Sequence, residues 1–77
     1  MNTQESRILS YLNEFGSITQ LEAIRDLGIM RLASRVSDMR KKGIRIVGAF
    51  ETVKNRYGEN CSIKRYRLDD FVLLKKD

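Results

Sequence analysis

At Gly43 the spacing of apolar residues changes, and that change restricts the chain to helices followed by a hairpin. Before it, three apolar groups recur at helical intervals: Ile8, Leu9, Leu12 and Phe15 with Tyr11 at the edge; Leu21, Ile24 and Leu27; and Leu32, Val36 and Met39. Side chains three and four positions apart share one helix face, so each group is expected to turn inward. After Gly43, Ile44, Ile46 and Gly48 alternate with Arg45 and Val47, and Tyr66 and Leu68 alternate with Arg65 and Arg67. A period of two belongs to strands. The intervening Asn55-Arg56-Tyr57-Gly58-Glu59-Asn60 is rich in turn formers and predicts a hairpin loop.

Local signals set the boundaries. Asn2 followed by Glu5 caps a first helix, and Gly16 suits the position past its end. Ser17-Ile18 reads as a short extended step. Thr19-x-x-Glu22 is a capping box that opens a second helix, which Gly28 stops. So short a break predicts a tight helix-turn-helix corner leading into a third helix from about Met30 to Lys42. Val47, Ala49 and Val53 lie on a second phase of the first hairpin strand and predict a bulge near Gly48. Phe50 and Tyr66 are expected in the core, and Cys61 as a half-buried filler. The whole chain, residues 1–77, reads as one domain with its core over about 3–68 and a tail over 69–77. In that tail the apolar run Phe71, Val72, Leu73 and Leu74 either closes over the first helix or makes a homodimer contact.

The side-chain inventory narrows the chemistry. Histidine and tryptophan are absent and Cys61 is the lone cysteine. Nitrogen- and sulfur-ligated metal sites within one chain, and histidine acid–base catalysis, are thereby excluded. No glycine-rich phosphate loop or framed nucleophile takes their place, so neither an enzyme nor a cofactor is expected. A domain this small leaves little volume for an enclosed small-molecule site. No apolar run approaches membrane-spanning length, no signal-peptide pattern appears, and a single cysteine suits a reducing compartment, so the expected location is the cytoplasm.

Charge is unevenly placed. Residues 1–29 carry two basic and four acidic side chains, a net of −2; residues 30–67 carry eleven basic and three acidic, a net of +8; the last ten carry −1, which closes the total of +5. One strongly basic half beside a slightly acidic one is the footprint of a nucleic-acid binder, where an evenly solvated lysine-rich exterior would be mixed. On a helical wheel the third helix turns Met30, Ser34, Ser37, Asp38 and Lys41 away from its apolar stripe, with Arg31, Arg35 and Lys42 on one flank and Arg40 on the other. Small polar residues and arginines suit a major groove, and Arg31, Ser34 and Arg35 lie nearest the end that enters deepest. Lys54, Arg56, Tyr57, Lys64 and Arg65 ring the hairpin loop and suit the phosphate backbone.

These residues carry a family resemblance. The stretch ITQLEAIRDLGIMRLASRVSDMRKK (residues 18–42), followed by GIRIV, resembles a winged helix-turn-helix family common in bacteriophages and prophages. The matching positions are Thr19, Ala23, Ile24, Leu27, Gly28, Ile29, Arg31, Leu32, Ala33, Arg35, Val36, Met39 and Arg40, and the likeness covers roughly residues 8–68. It implies a mainly α fold with a β-hairpin, a three-helix core plus a wing. It also implies binding of double-stranded DNA during phage gene control, replication or excision. Because fold alone does not set function, the alternative is a protein–protein interaction module that binds a host or phage protein through the same fold.

Overall fold

The computed structural model describes residues 2–69. Helix α1 spans Thr3–Phe15. The Asn2 side chain accepts the Glu5 backbone N–H at 2.8 Å, and Gly16 closes the helix at φ 87°, donating its own N–H to the Leu12 carbonyl. Strand β1 is the two-residue step Ile18–Thr19. Helix α2, Gln20–Glu22, follows at once, held by the reciprocal capping box of Thr19 and Glu22. It continues into a π-helical turn, Ala23–Leu27, that ends at left-handed Gly28. Helix α3 spans Leu32–Lys41, and strands β2 (Ile46–Lys54) and β3 (Asn60–Leu68) form the hairpin. The sheet is antiparallel throughout, in the order β1-β3-β2.

The core lies where the helices meet the base of this sheet. Ile8, Tyr11 and Leu12 of α1, Ile18 of β1, Ala23, Ile29, the α3 stripe Leu32, Val36 and Met39, and Ile46 and Tyr66 of the hairpin form one buried cluster. The stripe on α3 is as the spacing predicts, although the helix starts two residues after Met30 because Arg31 holds a non-helical backbone at φ −125° and ψ 66°.

Three apolar expectations are corrected. Phe15 is in phase with the inward face of α1 but sits in its last turn, exposed, its ring 4.5 Å from that of Tyr11. Leu21 and Ile24 face outward, at 70% and 40% exposure, while Ala23 is fully buried. The cause is the start of α2: Gln20, directly after the capping Thr19, is drawn toward α3, so the inward positions become Gln20, Ala23 and the half-buried Leu27. The π-turn, with the Gly28 N–H reaching the Ala23 carbonyl five residues back, then moves the apolar phase off the regular helical spacing. Phe50 is 71% exposed, because the far half of the hairpin extends beyond the body of the domain.

The expected bulge near Gly48 is also absent. Partners run one for one from Ile46 opposite Leu68 to Lys54 opposite Asn60. The glycine answers a different need. A Cβ there would stand 2.7 Å from Cε of Lys64 and 3.3 Å from the Tyr66 ring, so Gly48 leaves room for the lysine stem to cross the strand. The run Phe71 to Leu74, with its suggested dimer contact, lies outside the described residues.

Two polar devices fix the helices against one another. The Gln20 amide donates to the Ile29 carbonyl at 2.9 Å and accepts the Leu32 N–H at 2.8 Å. It caps α3 from the preceding helix, since Arg31 supplies no side-chain cap of its own. Gln20→Ala should therefore destabilise the domain by about 1–3 kcal/mol through two unpaired backbone groups. It should also speed amide exchange at Leu32, and unchanged exchange there would refute the clamp.

The second device joins α1 to the π-turn. Tyr11 donates its hydroxyl to Asp26 at 2.7 Å, and Arg25 holds the same carboxylate through two bonds of 2.8 and 2.9 Å. The Arg25 guanidinium first, and the Tyr11 hydroxyl second, hold the Asp26 carboxyl down to about 2. The Tyr11 phenol is raised above its ordinary value, chiefly by the same hydrogen bond. A carboxyl depressed on folding contributes stability above its unfolded value, near 4, and that contribution disappears as pH falls through about 2. Carboxyl-detected NMR titration should find the Asp26 midpoint near that value, and Tyr11→Phe should move it upward.

Candidate nucleic-acid interface

The first turns of α3 and the outer half of the hairpin face each other, and most candidate cations lie on or beside these two elements. On α3, Arg31, Ser37 and Lys41 are exposed, while Ser34, Arg35 and Asp38 are half-buried. Arg35 pairs with Asp38 at 3.4 Å, one turn along the same helix. Such a pair contributes only about 0.2–0.5 kcal/mol, so Arg35 is readily given up to another anion. Lys42 is placed differently. Its ammonium reaches across to α1 and bonds the Glu5 carboxylate at 2.7 Å, and that carboxylate is 1% exposed. Lys42 thus neutralises a buried charge.

Helix α3 therefore has two unlike flanks. Arg31 and Arg35 lie beside Gln4 and Met30, toward the start of α1. Ala33 and Arg40 lie toward the hairpin, where the Arg40 guanidinium donates to the Ile46 carbonyl at 2.9 Å and stands 6.0 Å from the centre of the Tyr66 ring. Between the flanks run Ser34, Ser37 and Lys41, the outward strip that the wheel predicts.

On the hairpin the loop is closed by its own side chain. Asn55 Oδ1 accepts the N–H groups of Tyr57 and Glu59 at 2.9 and 3.0 Å, and its amide donates to the Glu59 carboxylate at 3.0 Å. Arg56 and Tyr57 project from this tip, with Tyr57 79% exposed. Lys54 bonds Asn60 at 3.0 Å across the base of the loop. The Lys64 ammonium lies 5.3 Å from the Phe50 ring centre and 5.5 Å from that of Tyr66, so two aromatic faces orient it. Among the described residues Arg31, Lys41, Arg56 and Lys64 make no ion pair.

Arg65 is the most constrained of the wing residues. It bonds Glu51 at 2.9 Å and Ser17 Oγ at 3.1 Å and approaches Glu22 at 3.7 Å, tying β1, β2 and the start of α2 to β3. This bond holds the Glu51 carboxyl below its ordinary value and raises the Arg65 guanidinium. Two contributors escape a reading of the residues alone: Gln20, which sets the start of α3, and the exposed Phe50 beneath Lys64. No local pattern marks either; Arg67, which the alternation along β3 signals, is exposed near the base of that strand.

A cleft of about 560 Å³ separates α2 and the start of α3 from the outer half of the hairpin. Among the described residues no helix is long and apolar enough to cross a membrane, and no group of three or more His, Cys, Asp or Glu side chains could hold a metal ion. The arrangement is a set of fixed cations around one projecting helix and one projecting hairpin. A family model described as a winged helix-turn-helix domain matches residues 3–75. No curated protein and no solved structure gives a match.

Proposed function

The chain belongs to the winged helix-turn-helix domain family, and we propose that it binds double-stranded DNA as a small regulator of phage or prophage type. In this reading α3 enters the major groove and the hairpin wing holds the adjacent backbone. One observation carries it: α3 presents an outward strip of Ser34, Ser37 and Lys41 with Arg31, which makes no ion pair among the described residues, at its start, inside a segment whose net charge is +8. Arg31 and Ser34 read base edges, because the N-terminal part of such a helix reaches deepest. Arg35 joins them by exchanging Asp38 for a base or phosphate, and Lys41 grips phosphate. Arg56, Tyr57 and Lys64, supported by Lys54, set the register along the duplex without reading it.

Selection of sites from a randomised duplex pool tests this directly. An enriched motif is the expected result, and its symmetry reports how copies assemble. A pool that stays unenriched, with no duplex bound at low salt, would sink the reading. Within a selected site, Arg31→Ala should cost about 1–3 kcal/mol and relax the preference at one position. Lys64→Ala should instead weaken selected and random duplexes alike, and anisotropy titrations on the two duplexes separate the outcomes.

A further inference from the structure

One flank of α1 is uncovered. A groove of about 580 Å³ runs along it, bounded on its far side by Asp26 and Leu27 of the π-turn. On the α1 side, Thr3, Arg7, Ser10 and Glu14 recur at intervals of four, three and four residues, so they form one strip along the helix. All four are exposed. Ser6 flanks the strip near its start. Phe15, 62% exposed, lines the groove at the other end, its ring against that of Tyr11.

Two properties of the strip decide what fits it. Its middle is shallow, because Ser10 and the neighbouring Ser6 carry short side chains that let a second helix approach closely. Its two charges are opposite in sign and seven residues apart, about 10 Å along the helix axis. Neither Arg7 nor Glu14 makes an ion pair among the described residues. Such a strip is complementary to itself. When two identical helices lie antiparallel about a two-fold axis, each contact occurs twice. With the axis between Ser10 and Tyr11, Arg7 faces the second copy's Glu14, and Glu14 faces its Arg7. The same axis sets Ser6 opposite the second copy's Phe15, so each exposed ring meets the room above a serine. Charge elsewhere favours this face as well. Residues 30–67 carry +8 and repel a second copy wherever they meet it, whereas α1 belongs to the half whose net charge is −2.

We propose that this flank of α1 is a homodimer interface, in which two copies pair their first helices antiparallel and exchange Arg7–Glu14 ion pairs around a centre of small side chains. The interface uses neither α3 nor the hairpin, so it does not depend on the DNA reading.

Sedimentation equilibrium of the full chain at about 0.15 M salt tests it. The wild type should dimerise with a Kd at or below about 1 mM. Arg7→Glu and Glu14→Arg should each weaken self-association at least about ten-fold, since each leaves two like-charge pairs across the axis. Mixed in equal amounts, the two variants should associate with each other, because every pair across the mixed interface is again of opposite sign. A chain carrying both changes should dimerise as the wild type does. Phe15→Ala should weaken the dimer by a similar factor of about ten with no change of charge. Both reversals fall on exposed residues, so the circular dichroism of the folded domain should persist. Should either variant fail to fold, Phe15→Ala and the doubly changed chain decide. A wild type that stays monomeric at about 1 mM would overturn the proposal. So would a dimer indifferent to the reversals, or two variants that remain apart when mixed.

Discussion

Leu32→Ala should destabilise the domain by about 2–5 kcal/mol, which approaches the whole stability expected of so small a fold. Leu32 is fully buried. It opens α3, it faces the core stripe of Val36 and Met39, and its N–H receives the Gln20 cap at 2.8 Å. Truncation leaves a cavity at the point where α2, α3 and α1 converge. Thermal melts should show the midpoint fall by roughly 10–30 °C. The matched control is Leu21→Ala, which removes the same atoms from an exposed site and should change stability by no more than about 0.5 kcal/mol. Equal losses at the two leucines would contradict the outward facing of Leu21.

The second large effect is on binding. If Lys41, Arg56 and Lys64 each neutralise one phosphate, log K should fall with log salt at a slope of about −2.7. Raising salt from about 50 to about 200 mM should then weaken duplex binding roughly forty-fold. Arg56→Ala should flatten the slope by about 0.9, one phosphate's worth. Lys42→Ala should leave the slope unchanged and lower stability instead, because it strips the partner from the buried Glu5 carboxylate. A slope that responds to Lys42 and ignores Arg56 would contradict the interface described above.

What could be read beforehand divides along the range of the forces involved. The Asn2 and Thr19 caps, the stop at Gly16, the α3 stripe and the hairpin follow from residues a few positions apart, and the structure has them in place. The facing of α2 depends on Gln20 bonding residues nine and twelve positions away, and no periodicity reports that. The same holds for charge. A helical wheel puts Lys42 beside Arg31 and Arg35, but it cannot show a carboxylate 37 positions away that claims the ammonium. Arg65 likewise has a basic residue's exposed position in the pattern, yet it bonds Ser17 across 48 positions. Phe50 fails for a simpler reason: alternation marks the inner face of a strand, and only the fold reveals how far that face extends past the body.

The Asn55 side chain that closes the hairpin loop also bears on how fast the wing can act. A loop already held by three hydrogen bonds has little conformational freedom left to surrender when it meets a surface. Its encounter should carry a small ordering entropy and need no slow rearrangement, so the rate of association is left to diffusion and to the long-range pull of the basic segment.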